Sequence, residues 1–184
     1  MSIKLGIMRA SLLAVSCAAA LSACAATPAH ESTGAAIDDA AITAKVKAAL
    51  VADPATKARD IHVKTYHGVV QLSGFVNSKD ERDDAMQLAS HQAGVQHVDD
   101  EMQITPASTE ARATDDSDIT DRVKSALDSN PDTQHGIDVT THDGVVQLYG
   151  FVNSRDQIDE AGKLARGVEG VRKVDNALKV KPGD

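Results

Sequence analysis

The stretch Gly68-Val69-Val70-Gln71-Leu72-Ser73-Gly74-Phe75-Val76-Asn77-Ser78 returns as Gly144-Val145-Val146-Gln147-Leu148-Tyr149-Gly150-Phe151-Val152-Asn153-Ser154. Ten of eleven positions are identical, at an offset of 76. Identity this dense inside one chain marks a duplicated module. Val70, Leu72, Gly74 and Val76 alternate, which reads as one face of a strand. Every other segment can be placed relative to the two copies.

Just before the first copy, Ile61, Val63 and Thr65 alternate with His62, Lys64 and Tyr66, a second strand. A two-residue turn at His67-Gly68 pairs Thr65 with Val70, Val63 with Leu72 and Ile61 with Gly74. That register puts the core candidates on one face, so turn and pattern agree. Further upstream, Ile42, Val46, Ala49 and Leu50 recur at helical spacing, with Asp38 or Asp39 as N-cap and Asp53-Pro54 as the stop. Downstream, Ser78 and Glu81 form a capping box. The helix that follows turns Ala85, Leu88 and Ala89 inward and stops near Gly94. Val98, Met102 and Ile104 mark a third strand. The order is helix, strand, strand, helix, strand.

The plan then repeats. Ile119, Val123, Ala126 and Leu127 match the first helix at an offset of 77. Asp143-Gly144 is the hairpin turn, and Ser154 with Gln157 the capping box. Ile158, Ala161, Leu164, Ala165 and Val168 face inward, and Val171, Val174, Leu178 and Val180 close the sheet. The offset falls from 77 to 76, so one residue is missing between helix and hairpin. Thr105 to Asp116 has no apolar periodicity and reads as a linker.

The 184 residues include no Trp, two Phe and two Tyr, so each core is small and aliphatic. The net charge is −8, and loss of Lys4 and Arg9 with a leader makes it −10. A general nucleic-acid binder, which needs a basic face, is excluded.

Lys4 and Arg9 precede an apolar run from Ala10 to Ala20 that is too short to span a bilayer. Leu21-Ser22-Ala23-Cys24 follows and resembles the lipobox of bacterial lipoproteins, with Cys24 as the lipidated residue. Cys17 leaves with the leader, and Cys24 is then the one mature thiol, without a disulfide partner. Ala25, rather than Asp, follows it, which points to the outer membrane. The expected division is a signal peptide at 1–23, a lipidated N-terminus and flexible tether at 24–36, a first module at 37–104, a linker at 105–116 and a second module at 117–181.

Each module resembles the BON (bacterial OsmY and nodulation) domain. The marks are Gly-Val-Val-x-Leu-x-Gly-Phe-Val, the helix with Ala85-x-x-Leu88-Ala89 or Ala161-x-x-Leu164-Ala165, and the ending Gly94-Val95-x-x-Val98 or Gly170-Val171-x-x-Val174. The resemblance covers about three quarters of the chain. A lipobox ahead of two such modules resembles the dual-BON outer-membrane lipoproteins. It implies an α+β fold of two tandem αββαβ modules, each a three-stranded mixed sheet packed on two helices. It also implies a non-catalytic, periplasm-facing role in envelope integrity and osmotic stress tolerance, with binding to anionic phospholipid. Asp100 departs from the usual Asn, present as Asn176 in the second copy, which bears on a local turn.

No metal or cofactor is expected. The seven His do not recur at equivalent positions or at helical i, i+4 spacing, and exposed strand and turn histidines account for them. Neighbouring carboxylates such as Asp83-Asp84 and Asp159-Glu160 do not face one another on a helix. No nucleophile elbow or phosphate loop is present, so an enzyme is not expected.

Two patterns point to binding. By the register, Tyr66, Phe75, Tyr149 and Phe151 all point away from the helices, along with Val69 and Val145. That face reads as an interface, between the modules or with an envelope protein partner. Module two also carries Arg166, Arg172, Lys173, Lys179 and Lys181, where module one has Asp99, Asp100 and Glu101. Arg166, Arg172, Lys173 and Lys179 are the candidates for anionic headgroups. The alternative function is a periplasmic stress protein with chaperone-like binding of client proteins. Salt separates the two, because it weakens headgroup binding and not apolar capture.

Overall fold

The computed structural model describes residues 33–56, 61–105 and 113–182. The leader, Cys24 and most of the tether lie outside the described residues. Two copies of one plan follow in order: α1 (Thr33–Ala52), β1 (Ile61–Tyr66), β2 (Val69–Val76), α2 (Lys79–Ser90) and β3 (His97–Ile104), then α3 (Ala113–Asp128), β4 (Asp138–His142), β5 (Val145–Val152), α4 (Arg155–Arg166) and β6 (Lys173–Val180). Each copy has one three-stranded sheet, ordered β1-β2-β3 and β4-β5-β6. The hairpin strands pair antiparallel and the third strand joins parallel, so both sheets are mixed.

The first hairpin has the register that the alternation predicts: Thr65 faces Val70, Val63 faces Leu72, and Ile61 faces Gly74. Its turn needs two left-handed residues, which His67 (φ 49°) and Gly68 (φ 76°) supply; Asp143 (φ 50°) and Gly144 (φ 71°) do so in the second. The helix-side cores are equivalent. Ile42, Val46, Leu50, Ile61, Val63, Val70, Leu72, Val76, Ala85, Ala89 and Met102 fill the first. Ile119, Val123, Leu127, Val139, Val146, Leu148, Val152, Ala161, Ala165 and Leu178 fill the second.

Several local expectations are corrected. The first helix starts at Thr33, inside the segment read as tether, and α3 starts at Ala113, inside the segment read as linker. Their opening turns lack the apolar spacing that reveals the later ones. Both candidates lie inside α1, so Asp38 is not an N-cap and neither is Asp39. Asp39 sits buried within α1, and its carboxylate accepts from the His67 N–H at 2.6 Å and the Gly68 N–H at 2.8 Å. Asp116 holds Asp143 and Gly144 in the same way, both at 2.7 Å. A negative charge satisfies the two amides that a tight turn leaves without ladder partners.

The capping box is complete only at α4, where Gln157 reaches the Ser154 N–H. At α2, Ser78 accepts from the Glu81 N–H, but the Glu81 side chain reaches past it to the Asn77 N–H at 3.0 Å.

Position 100 is not in a turn. Asp100 lies in β3, where it accepts from the Met102 N–H at 3.0 Å and pairs with Arg82 of α2. Asn176 lies in β6 and accepts from the Leu178 N–H at 3.4 Å. Its amide donates to the Ile158 carbonyl of α4 at 2.7 Å. Arg82 and Ile158 are equivalent positions, so a charge pair in one copy replaces an amide-to-carbonyl bond in the other.

Candidate functional site

Both faces of β2 and β5 are buried, except at their first residues. One face of each meets its own helices. The other meets the opposite sheet, so the helix-free faces of the two modules pack on each other.

Two fully buried glutamines sit at the middle of that interface. Gln71 Nε2 donates to the Ala177 carbonyl at 2.6 Å, and Gln71 Oε1 accepts from the Gly150 N–H at 2.8 Å. Gln147 Nε2 donates to the Glu101 carbonyl at 2.5 Å, and Gln147 Oε1 accepts from the Gly74 N–H at 2.6 Å. Positive φ at Gly74 (111°) and Gly150 (121°) turns these amides toward the facing sheet. A Cβ on Gly150 would lie 2.2 Å from the Gly136 carbonyl oxygen, so no other residue fits there without backbone movement. Burying an amide side chain is costly unless its polar atoms are paired, and here they are.

Rings surround this centre. Tyr66 lies 5.5 Å from Phe151 between centroids, and His142 lies 5.1 Å from Phe75. The two contacts are equivalent, since Tyr66 corresponds to His142 and Phe75 to Phe151. Tyr149 stacks on His62 at 5.2 Å with a 15° interplanar angle. The Lys181 ammonium lies 5.5 Å from the centroid of Tyr66, within cation–π range. All four aromatics that the alternation sends away from the helices are thus buried at the seam.

Charges close the rim. Lys64 of module one pairs with Asp138 of module two, and Lys179 of module two with Glu101 of module one, both at 2.6 Å. Asp175 accepts from Gln103 and from Gln147, each at 3.0 Å. The hydrogen bond to Glu101 raises the Lys179 ammonium above its ordinary 10.5. Burial, and then the Asp138 charge, push the Tyr149 phenol well above its ordinary 10.0.

The basic candidates are not one patch. Arg166, Arg172 and Lys173 are exposed near the α4 end and the start of β6. Lys179 lies six residues along β6, about 20 Å away at strand rise, and is held by Glu101. Arg172 donates to the Asp143 carbonyl at 3.1 Å. It lines a groove with Asp115, Asp116, Asp118, Asp143 and Glu169. Among the described residues, no group of three or more His, Cys, Asp or Glu side chains is placed to hold a metal ion. No described helix is long and apolar enough to cross a membrane.

Residues 38–106 and 115–182 each match the family model of the BON domain. The chain belongs to the BON domain family. It is 43% identical over 150 residues to Osmotically-inducible protein Y of Escherichia coli (strain K12), covering 79% of this chain and 74% of that protein. It is 32% identical over 149 residues to Outer membrane lipoprotein DolP of Haemophilus influenzae, covering 80% and 77%. It is also 32% identical over 145 residues to the 21 kDa hemolysin of Actinobacillus pleuropneumoniae, covering 78% and 74%.

The two BON modules therefore meet through Gln71 and Gln147, which sequence reasoning did not single out. A signal was present. Both lie inside the repeated stretch, on the strand face that carries the aromatics. A polar residue repeated there needs a buried partner if that face is covered.

Proposed function

We propose that this chain is a non-catalytic outer-membrane lipoprotein, anchored through Cys24 and facing the periplasm. It binds anionic phospholipid and supports envelope integrity and osmotic stress tolerance. The names of its relatives, Osmotically-inducible protein Y and Outer membrane lipoprotein DolP, support the compartment and the stress role. The observation that supports the binding reading is the exposure of Arg166 and Lys173 beside Arg172, which also faces a groove of carboxylates, while Lys179 is engaged across the seam. Each basic residue near an anionic surface contributes up to about 1 kcal/mol.

Capture of unfolded clients needs an open apolar surface. The four aromatics are instead covered, and the exposed large apolar side chains among the described residues are Val51, Ile104 and Val180.

Titration of the unacylated chain with phosphatidylglycerol and phosphatidylcholine micelles, followed by NMR, tests the proposal. Shifts at Arg166, Arg172 and Lys173 with the anionic lipid only, abolished by salt, are expected. Binding that survives the double change Arg172→Glu and Lys173→Glu would place the lipid elsewhere. No response to either lipid would end the phospholipid reading.

A further inference from the structure

The seam between the modules is symmetric in its glutamine clamp, and asymmetric at its charged rim and at the Tyr149–His62 stack, whose equivalents are Ser73 and Asp138. The 76-residue offset exchanges Gln71 with Gln147, Gly74 with Gly150, and Glu101 with Ala177. The clamp therefore maps onto itself, as does the pair of ring contacts Tyr66–Phe151 and His142–Phe75. A face that is complementary to its own duplicate is the condition for a two-fold contact. If a second copy of module one stood where module two stands, Gln71 would meet a Gly74 N–H and a Glu101 carbonyl, and Phe75 would meet Tyr66. For two copies of module two, Gln147 would meet Gly150 and the Ala177 carbonyl, and Lys179 would take the place of Gln103 opposite Asp175.

The rim behaves differently. Lys64–Asp138 and Lys179–Glu101 exist only when module one meets module two. In like-with-like pairing, Lys64 would face His62, and Asp138 would face Thr140. Contacts present in one pairing and absent from its competitors are what set specificity.

We infer that the helix-free face of each module is a docking surface for a second copy of this chain, and that the two rim ion pairs close the chain on itself instead. The covalent connection makes pairing of the two modules of one chain an intramolecular event, which favours the closed form further.

The test uses the full chain with Cys24→Ser, so that no acyl group contributes to mass. The double variant Lys64→Glu/Glu101→Lys places like charges across both rim contacts. Its four rim side chains are 28–42% exposed, so the module cores are untouched. Light scattering is expected to show the mass doubling as concentration rises, while the parent stays at one chain. Adding Gln71→Ala and Gln147→Ala should return it to one chain. Adding Asp138→Lys and Lys179→Glu, which restores opposite charges, should do the same. The separate variant Asp138→Lys/Lys179→Glu, which disturbs the rim from module two, should also dimerise, through module one. Small-angle scattering reads the shape in parallel. A single-chain mass with an opened profile would overturn the self-complementary face. A single-chain mass with the parent's profile would overturn the role of the ion pairs.

Discussion

Gln71 and Gln147, equivalent residues of the two copies, each reach across the seam and fasten the strand that carries the other. Gln71 takes the Gly150 N–H at 2.8 Å, and Gln147 takes the Gly74 N–H at 2.6 Å. Replacing Gln71 by Leu keeps the bulk and removes both bonds, leaving the Gly150 N–H and Ala177 carbonyl without partners. Each buried group left unpaired costs about 1–3 kcal/mol. Denaturant unfolding should show a loss of that order for Gln71→Leu and for Gln147→Leu. A loss under about half a kcal/mol for both would mean that water or a shifted strand replaces the clamp.

The aromatic ring contacts contribute area rather than polarity. Phe151 is 8% exposed and packs on Tyr66. Phe151→Ala should cost about 3 kcal/mol, the usual scale for an aromatic removed from a packed site. Tyr149→Ser/Phe151→Ser should also expand the chain in small-angle scattering. Unchanged scattering together with unchanged melting would show that these rings do not hold the modules together.

Asp39 and Asp116 hold the hairpin turns from inside a helix. Asp116→Ala removes a charged acceptor from two turn amides, each such bond contributing about 1.5–3 kcal/mol. The turn should loosen, visible as faster amide exchange at Asp143 and Gly144. Asp116→Asn, which keeps one acceptor oxygen, should fall between Ala and the parent. Equal exchange in all three proteins would assign the turn's stability to Asp143-Gly144 alone.

The exchange of Asp100–Arg82 for Asn176–Ile158 predicts a compensated double mutant. Asn176→Asp sets a carboxylate against the Ile158 carbonyl and should cost about 1 kcal/mol, the scale for losing a hydrogen bond at a half-buried position. Ile158→Arg in the same chain rebuilds the first module's pair and should recover much of that loss. Strictly additive costs in a double-mutant cycle would rule out the coupling.

Two groups at the seam make it sensitive to alkali. Tyr149 and Lys179 both hold their protons to higher pH in the folded chain than in the unfolded one. The folded state then binds more protons above the ordinary pKa values, so stability falls as pH rises through that range. The contribution is fully present below the Tyr value of 10.0 and is lost progressively above it. Melting temperature should decline above about pH 10, with a shallower decline in Tyr149→Phe, which has no phenol to titrate. Identical slopes for the variant and the parent would remove Tyr149 from the account.

Much of the fold was legible in the chain because its causes are local. Alternation at Val70, Leu72 and Val76 fixes a strand face, and the His67-Gly68 and Asp143-Gly144 turns fix the register. The duplication then extends each reading to the other copy. Alternation also sent Tyr66, Phe75, Tyr149 and Phe151 to the face away from the helices, because side-chain direction along a strand has period two. Three things were decided only by tertiary structure. What covers the aromatic face depends on how one sheet meets the other, and no spacing encodes that. Asp39 reads as an N-cap until the turn it holds, 28 residues away, is brought against it. Lys179 reads as one of a basic group until Glu101 is placed opposite it. Asp39 and Lys179 each take their role from a partner distant in sequence, and for the buried Asp39 carboxylate that partner is obligatory.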